Sequence, residues 1–291
     1  MIWEGLLWLV GVGLLLILGL SYALTIPMMR RRVPDDPDHP ALHGLSCEEV
    51  CFNSRDGIKL GGWWIPASSP RGTVIMCPGQ NGSMDKDLPQ ALPLHRAGFN
   101  VLMFDFRAHG KSEGKQVTLG LLEQNDLLGA VDYLANERGI SRVGVLGFSM
   151  GAGVALLVAA QDTRMAAVVV DGAFPQMSTL LINRLRIQKI PTLPARVLGW
   201  LTLWIASLRA YRRLYRARPI AVAARISIPV LFIHGDLDPF VSVAEIEGLK
   251  ARISSPSDLW RVSDVGHRQA FGKYPDEYNR RVVDWFGQHL S

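Results

Sequence analysis

Apolar residues come in short unbroken runs through most of this chain. Thr73–Cys77, Asn100–Phe106, Val143–Leu146, Ala166–Asp171, Ile228–Ile233 and Leu259–Val262 are such runs. Runs without strict alternation mark strands covered on both faces, as in a parallel sheet. Helix-like stretches fall between them, among them Ala152–Ala160 and Pro275–Leu290 near the C-terminus. This alternation predicts an α/β fold, a mainly parallel sheet with helices on both faces. Cys47–Ser54 and Leu60–Pro66 flank Asp56-Gly57, which predicts an antiparallel hairpin at the start of the sheet. The stretch beyond the first ~40 residues is long enough for one domain with a sizeable core.

The N-terminal pattern differs. Gly5–Met29 is 25 residues without a charge and ends in Arg30-Arg31-Arg32. About 20 apolar residues cross a bilayer as a helix. A cleavable signal peptide would want a basic n-region and a shorter apolar core, whereas only Glu4 lies in the flank here. A single transmembrane anchor at residues 5–29 is therefore expected. Trp3, Trp8 and Tyr22 suit interfacial positions, and the arginines favour retention of the domain that follows them in the cytoplasm. Residues 30–45 then read as a basic flank and a polar linker. Three prolines and three aspartates in Val33–Pro40 predict a stiff segment without helix or core packing.

Candidate chemistry centres on Gly147-Phe148-Ser149-Met150-Gly151, between the strand ending at Leu146 and the small-residue helix from Ala152. G-x-S-x-G in that position is the nucleophile-elbow pattern: the serine stands on a strained strand-to-helix turn with its hydroxyl exposed. The glycines remove side chains where the turn is crowded. A serine hydroxyl needs a neighbouring base, and an imidazole needs a carboxylate to set its tautomer. His267, in Val265-Gly266-His267 after the last strand, is the candidate base. The strand Ile228–Ile233 ends in His234-Gly235-Asp236-Leu237-Asp238-Pro239, and carboxyl ends of such strands carry active-site groups. Asp238 is chosen as the acid because Asp236, closer to the strand end, suits a turn brace. Asp236 stays an alternative, as does Asp171 at the end of the preceding strand.

The serine–acid–histidine order, with these flanking elements, resembles the α/β-hydrolase superfamily over roughly residues 46–290. The resemblance implies a cofactor-free serine hydrolase. It also implies an oxyanion hole made by the backbone amides of Gln80, in the loop Pro78-Gly79-Gln80, and Met150. Pro78 stands where the family usually has histidine. Asp105-Phe106-Arg107-Ala108-His109-Gly110-Lys111-Ser112 looks like the family's D-x-R-x-x-G-x-S turn and is read as structural, His109 included. Members with dehalogenase or epoxide hydrolase activity carry aspartate at the nucleophile position, so Ser149 disfavours those chemistries. No phosphate loop, dinucleotide fingerprint or zinc-spaced cluster is present in the sequence. Three cysteines imply no disulfide framework.

In this family an insertion after the sixth strand forms a lid. Residues 46–174 and 226–291 would then form the hydrolase core and residues 175–225 the lid. The lid carries ten basic residues and no acid, so it bears +10 against −5 for the remainder. Within it, Leu198–Ala206 is apolar, with Trp200 and Trp204 one helical turn apart, and Arg209, Arg212, Arg213, Arg216 and Arg218 follow. Residues 196–218 suit a helix lying in the headgroup layer, where each nearby basic side chain contributes about 1 kcal/mol with anionic lipid. The competing reading turns the two tryptophans into the domain core, and a third makes the charge a rim for acidic substrates such as acyl-CoA. Nucleic acid is not an expected partner, because no recognition motif accompanies the charge. The function expected is hydrolysis of carboxylic esters or thioesters, with acyl or lipid substrates foremost. The alternatives are a serine peptidase and a non-catalytic binding or scaffold protein on the same fold.

Overall fold

In the computed structural model the apolar runs assemble into one eight-stranded sheet. The structure describes residues 2–33 and 38–290. β1 (Glu48–Asn53) and β2 (Lys59–Ile65) form the antiparallel hairpin, with Cys51 opposite Gly61. The other strands are β3 (Gly72–Cys77), β4 (Phe99–Phe104), β5 (Val143–Phe148), β6 (Met165–Asp171), β7 (Val230–Gly235) and β8 (Ser257–Val262). Their spatial order is β1-β2-β4-β3-β5-β6-β7-β8, and every pairing beyond β4 is parallel. β3 thus lies between β4 and β5. That reversal of strand order opens a crevice at the carboxyl ends of β3 and β5, where open α/β sheets bind ligands.

Both faces are covered, which is why the strands read as unbroken apolar runs. Neighbouring residues point to opposite faces: Ile75, Val168 and Val170 join one apolar cluster, Val74, Met76 and Val169 the other. The helices α3 (Glu123–Arg138), α4 (Met150–Ala159) and α8 (Val243–Lys250) close the first face. α2 (Leu88–Arg96) and α10 (Pro275–His289) close the second, through Leu88, Leu94, Val282 and Phe286. The insertion after β6 consists of α5 (Met177–Ile187), α6 (Thr192–Arg209) and α7 (Pro219–Val222). A short α9 (Ala270–Lys273) precedes α10.

The turn after β4 is a polar knot. The Asp105 carboxylate accepts from the amides of Met84 and Lys111, both at 2.8 Å, and Ser112 donates to the Asp105 carbonyl at 2.5 Å. Arg107 forks between Asp126 at 2.6 Å and Asp56 at 2.5 Å. Burial pushes the Asp126 carboxyl up to about 6 despite that partner, whereas at Asp56 the Arg107 and Ser54 hydrogen bonds outweigh burial and bring it to about 2.

α1 (Ile2–Met29) has no buried residue from Trp3 to Leu20, and Trp3–Met29 is long and apolar enough to cross a membrane. Its last turn enters the domain. Met29 is buried and its carbonyl accepts from Val117 at 3.0 Å. The Arg32 amide donates to Ala108 at 2.8 Å, and Arg31 donates to the carbonyls of Gly110 and Gly114. The expectation of a linker without helix or core packing holds at exposed Val33 and fails beyond Pro34–Pro37, which lie outside the described residues. Beyond them Asp38 pairs with His43 at 2.9 Å, and His39 meets Trp63 edge-on. Buried Pro40 opens a 3-10 turn through His43. Proline is suited to a first helical position because its fixed φ is helical and its missing N–H is not needed there. The polar segment is therefore held by its own carboxylate–imidazole contact and by Trp63.

Within the insertion, α6 packs between α5 and α1. Ala195, Leu198, Leu203 and Ala206 are its buried side. Trp200 and Trp204 are 52% and 53% exposed, so the reading that turns them into the domain core does not hold. Their helix spends its inward face on α1 and α5, which leaves the tryptophan side outside.

Removing one partner from a buried ion pair leaves an uncompensated charge, a loss of about 3–5 kcal/mol. Arg107→Ala is expected to lower unfolding stability by about that amount at neutral pH, since Asp126 loses its guanidinium. Chemical denaturation of the purified variant checks this, and unchanged stability would remove Arg107 as the pin of this turn.

Candidate active site

Ser149 joins β5 to α4 with φ 50° and ψ −107°, a left-handed backbone for a residue with a side chain. Such a conformation costs about 1–3 kcal/mol and persists only where its surroundings over-determine it. Both flanks do so here. A Cβ on Gly147 would lie 2.6 Å from the Gly151 carbonyl oxygen, and one on Gly151 only 2.2 Å from the Cys77 carbonyl oxygen. Backbone is therefore packed on backbone between the elbow and the end of β3. The Ser149 amide donates to the Asp171 carbonyl at 2.9 Å, which ties the turn to β6.

His267 stands in the loop after β8. Its Nε2 lies 2.9 Å from Ser149 Oγ and its Nδ1 2.6 Å from Asp238 Oδ2. A proton on Nδ1, directed at the carboxylate, leaves Nε2 free to accept from the hydroxyl. The Phe240 ring packs edge-on against the imidazole at 5.1 Å. Asp238 Oδ1 accepts from the amides of Phe240 at 2.8 Å and Val241 at 3.2 Å. Burial pushes the Asp238 carboxyl up, but the hydrogen bonds from His267 and the Phe240 amide more than offset it and hold it below its usual range.

The two alternative acids lie elsewhere. Asp236 is bonded to Arg261 at 3.1 Å at the domain surface. Asp171 is buried and accepts from the Tyr278 hydroxyl at 3.1 Å; burial raises its carboxyl to about 6. Among the described residues neither has a hydrogen bond to His267.

The loop after β3 runs beside the nucleophile. A Cβ on Gly79 would meet Ser149 Cβ at 3.6 Å, and Gln80, Asn81, Ser149 and His267 line one cavity of about 490 Å³. Gln80 is held from two sides. Its side-chain Nε2 donates to the Met28 carbonyl at 2.8 Å, and its own carbonyl faces His109 Nε2 at 3.0 Å. His109 is fully buried and its Nδ1 faces the Arg107 carbonyl at 2.9 Å, so the imidazole braces the Gln80 loop against the β4 turn. Met150 begins α4, where helix amides have no intrahelical acceptor.

Sequence reasoning missed three participants. Arg268, next to His267, pairs with Asp87 and stacks on Phe148 at 4.5 Å, walling one side of the cavity. His234, buried, lies with Nε2 2.9 Å from the Val241 carbonyl; burial lowers its pKa, and it props the loop that carries Asp238. Met28, from the end of α1, lines the cavity as well. Adjacency to His267 was the one available signal for Arg268, and nothing in the pattern pointed to Met28. Among the described residues no three His, Cys, Asp or Glu side chains are grouped to hold a metal ion.

A mainly parallel sheet with a strained serine turn at its switch point is the architecture of the α/β hydrolases. Residues 72–201 match the family model for the alpha/beta hydrolase fold. The uncharacterised protein YqkD of Bacillus subtilis (strain 168) is 30% identical over 235 residues, 79% of this chain and 75% of that relative. The uncharacterised protein YfhR of Escherichia coli (strain K12) is 30% identical over 256 residues, 84% of this chain and 82% of that relative. Among solved structures, the esterase Pf2001 of Pyrococcus furiosus superposes with a TM-score of 0.75 at 28% identity, covering 90% of this chain and 100% of that one. The chain belongs to the α/β-hydrolase family.

The two aspartates after β7 make opposite predictions. Asp238→Asn is expected to lower kcat by about 10⁴, because the amide no longer selects the Nδ1–H tautomer. Asp236→Asn loses only a surface pair with Arg261 and is expected to leave turnover nearly unchanged. Steady-state kinetics on one ester substrate compares them, and a crippled Asp236→Asn beside a normal Asp238→Asn would reverse the roles.

Proposed function

We propose that the protein is a membrane-anchored serine hydrolase that cleaves carboxylic esters or thioesters of acyl substrates. The observation that carries this is the unbroken line Ser149 Oγ, His267, Asp238, with links of 2.9 and 2.6 Å, opening into a cavity. Ser149 Oγ attacks the acyl carbon while its proton passes to His267 Nε2. The Asp238 carboxylate stabilises the resulting imidazolium and holds the ring in place. The amides of Gln80 and Met150 donate to the oxyanion, a contribution worth about 3–4 kcal/mol per donor in other enzymes. His267 then returns the proton to the leaving alcohol or thiol. Water repeats the sequence on the acyl-enzyme, giving the free acid and restoring Ser149. The likeness to the Pyrococcus furiosus esterase supports an ester over a peptide substrate. The half-exposed Trp200 and Trp204, on the helix that packs against α1, support a lid lying against the leaflet and lipid-like acyl groups as substrates.

Ser149→Ala removes one hydroxyl and little packing. It is expected to abolish covalent labelling by a fluorophosphonate and to cut turnover by about 10⁴–10⁶, with the circular dichroism spectrum unchanged. Labelling or hydrolysis that persists undiminished would assign the chemistry elsewhere or leave a binding protein.

In this reading α1 spans the membrane once, with Arg30–Arg32 and the catalytic domain in the cytoplasm. A fluorescent reporter that matures only in the cytoplasm, fused after Ser291, is expected to be active. A reporter that needs export is expected to be silent, and the opposite pair of results would invert the orientation.

A further inference from the structure

A second cavity, of about 610 Å³, adjoins the one over Ser149 and shares Met28, Gln80, Asn81, Leu181 and Arg184 with it. Its walls are the end of α1 (Leu24, Pro27, Met28), α5 (Leu181, Leu185) and α6 (Gly199, Thr202). Thr202 is buried, and its Oγ1 has no hydrogen-bond partner among the described residues. On the far side of Leu24, which packs against the cluster of Leu185, Ala195 and Leu198, a separate groove lies between α1 and α6. That groove is lined by Leu16, Ile17 and Leu20 on one side and Leu193, Pro194, Val197 and Leu198 on the other.

The groove runs in the direction a bilayer would supply. From Tyr22 back to Leu16 the helix rises ~9 Å, within the ~15 Å depth of one leaflet of a ~30 Å hydrocarbon core. Trp3 and Tyr22 bracket the span, and an exposed Tyr22 carries Arg209 over its ring at 4.9 Å. Leu16–Leu20 therefore lie inside the hydrocarbon, and Leu24–Met28 lie at its edge. The edge is cationic. Arg30 and Arg32 line the second cavity, and Arg184 lines both cavities without an ion-pair partner among the described residues.

We propose that the space between α1 and the lid is an acyl-chain site filled sideways from the bilayer. The chain of an anionic ester lipid lies between α1 and α6, its carbonyl reaches Ser149 past Met28, and Arg184 holds the negative headgroup. The anchor is then a wall of the substrate site as well as a tether. This rests on the ester hydrolase reading for Ser149.

Photocrosslinking tests the site without turnover. Full-length Ser149→Ala protein in nanodiscs is irradiated with an anionic phospholipid carrying a diazirine in its acyl chain, and adducts are mapped by mass spectrometry. Adducts concentrated on residues 16–28 and 181–202 are expected. Adducts spread evenly around α1, or confined to residues 3–15, would overturn the proposal. Arg184→Gln in the same background should reduce crosslinking of the anionic probe several-fold more than that of a zwitterionic one, and equal loss would remove the headgroup role. With Ser149 present, Leu24→Trp places a ring in the channel. The ratio of kcat/KM for long-chain over butyryl esters should fall about tenfold or more, as methylenes lose their buried contacts; an unchanged ratio would also overturn the channel. If the wild type hydrolyses neither ester and resists fluorophosphonate, the hydrolase reading falls, and the crosslinks still decide the site.

Discussion

Backbone pressed against backbone at Gly151 sets the geometry of everything around it. The start of α4 lies so near the end of β3 that a methyl group at Gly151 would stand 2.2 Å from the Cys77 carbonyl oxygen. That closeness holds the turn at Ser149 in a left-handed conformation that a serine does not adopt unforced. β5 and α4 are wholly buried on either side of the turn, so the strain cannot relax without opening the core. The same contact brings the Gly79-Gln80 loop of β3 beside the hydroxyl. Strand order makes this possible, because β3 and β5 are neighbours in the sheet though far apart in sequence.

Two buried carboxylates near His267 show how donors, more than burial, decide charge. Asp238 receives the imidazole and two loop amides, and its pKa falls below the usual range in spite of desolvation. Asp171 is buried as well but receives one phenolic hydroxyl, and desolvation lifts it to about 6. An acid that must stay ionised to support an imidazolium needs the first environment. Peptide amides from the loop after β7 provide it at Asp238, while β6 is committed to sheet pairing around Asp171. His234 holds that loop by facing the Val241 carbonyl.

The N-terminal helix is joined to the domain at several independent points. The Met28 carbonyl accepts from the Gln80 side chain, Met29 is in the core, and Arg32 pairs by its backbone with Ala108 and Gly110. Arg209 reaches back from α6 to Thr25 and Tyr22. A helix attached in this way is tied directly to the Gln80 loop. Its orientation in a bilayer would then fix the orientation of the cavity.

Local pattern determined much of this protein. Apolar runs without alternation defined parallel strands because two covered faces leave no position for polar residues, and Asp56-Gly57 marked the hairpin. The glycines of Gly147–Gly151 marked the elbow because only glycine fits where two backbones meet. Uncharged length alone identified the helix long enough to cross a membrane. Tertiary structure decided what depends on residues distant in sequence. Which of Asp236, Asp238 and Asp171 meets His267 is a matter of loop path after β7, and no spacing rule encodes it. His109 could be read as part of a turn, but its contact with Gln80 joins segments 29 residues apart. Val33–Pro40 read as a stiff linker without core packing because the partner of His39, Trp63, lies on a strand more than twenty residues away. The pairing of α1 with α6 spans most of the chain: both helices are apolar, and apolarity specifies burial without naming the partner.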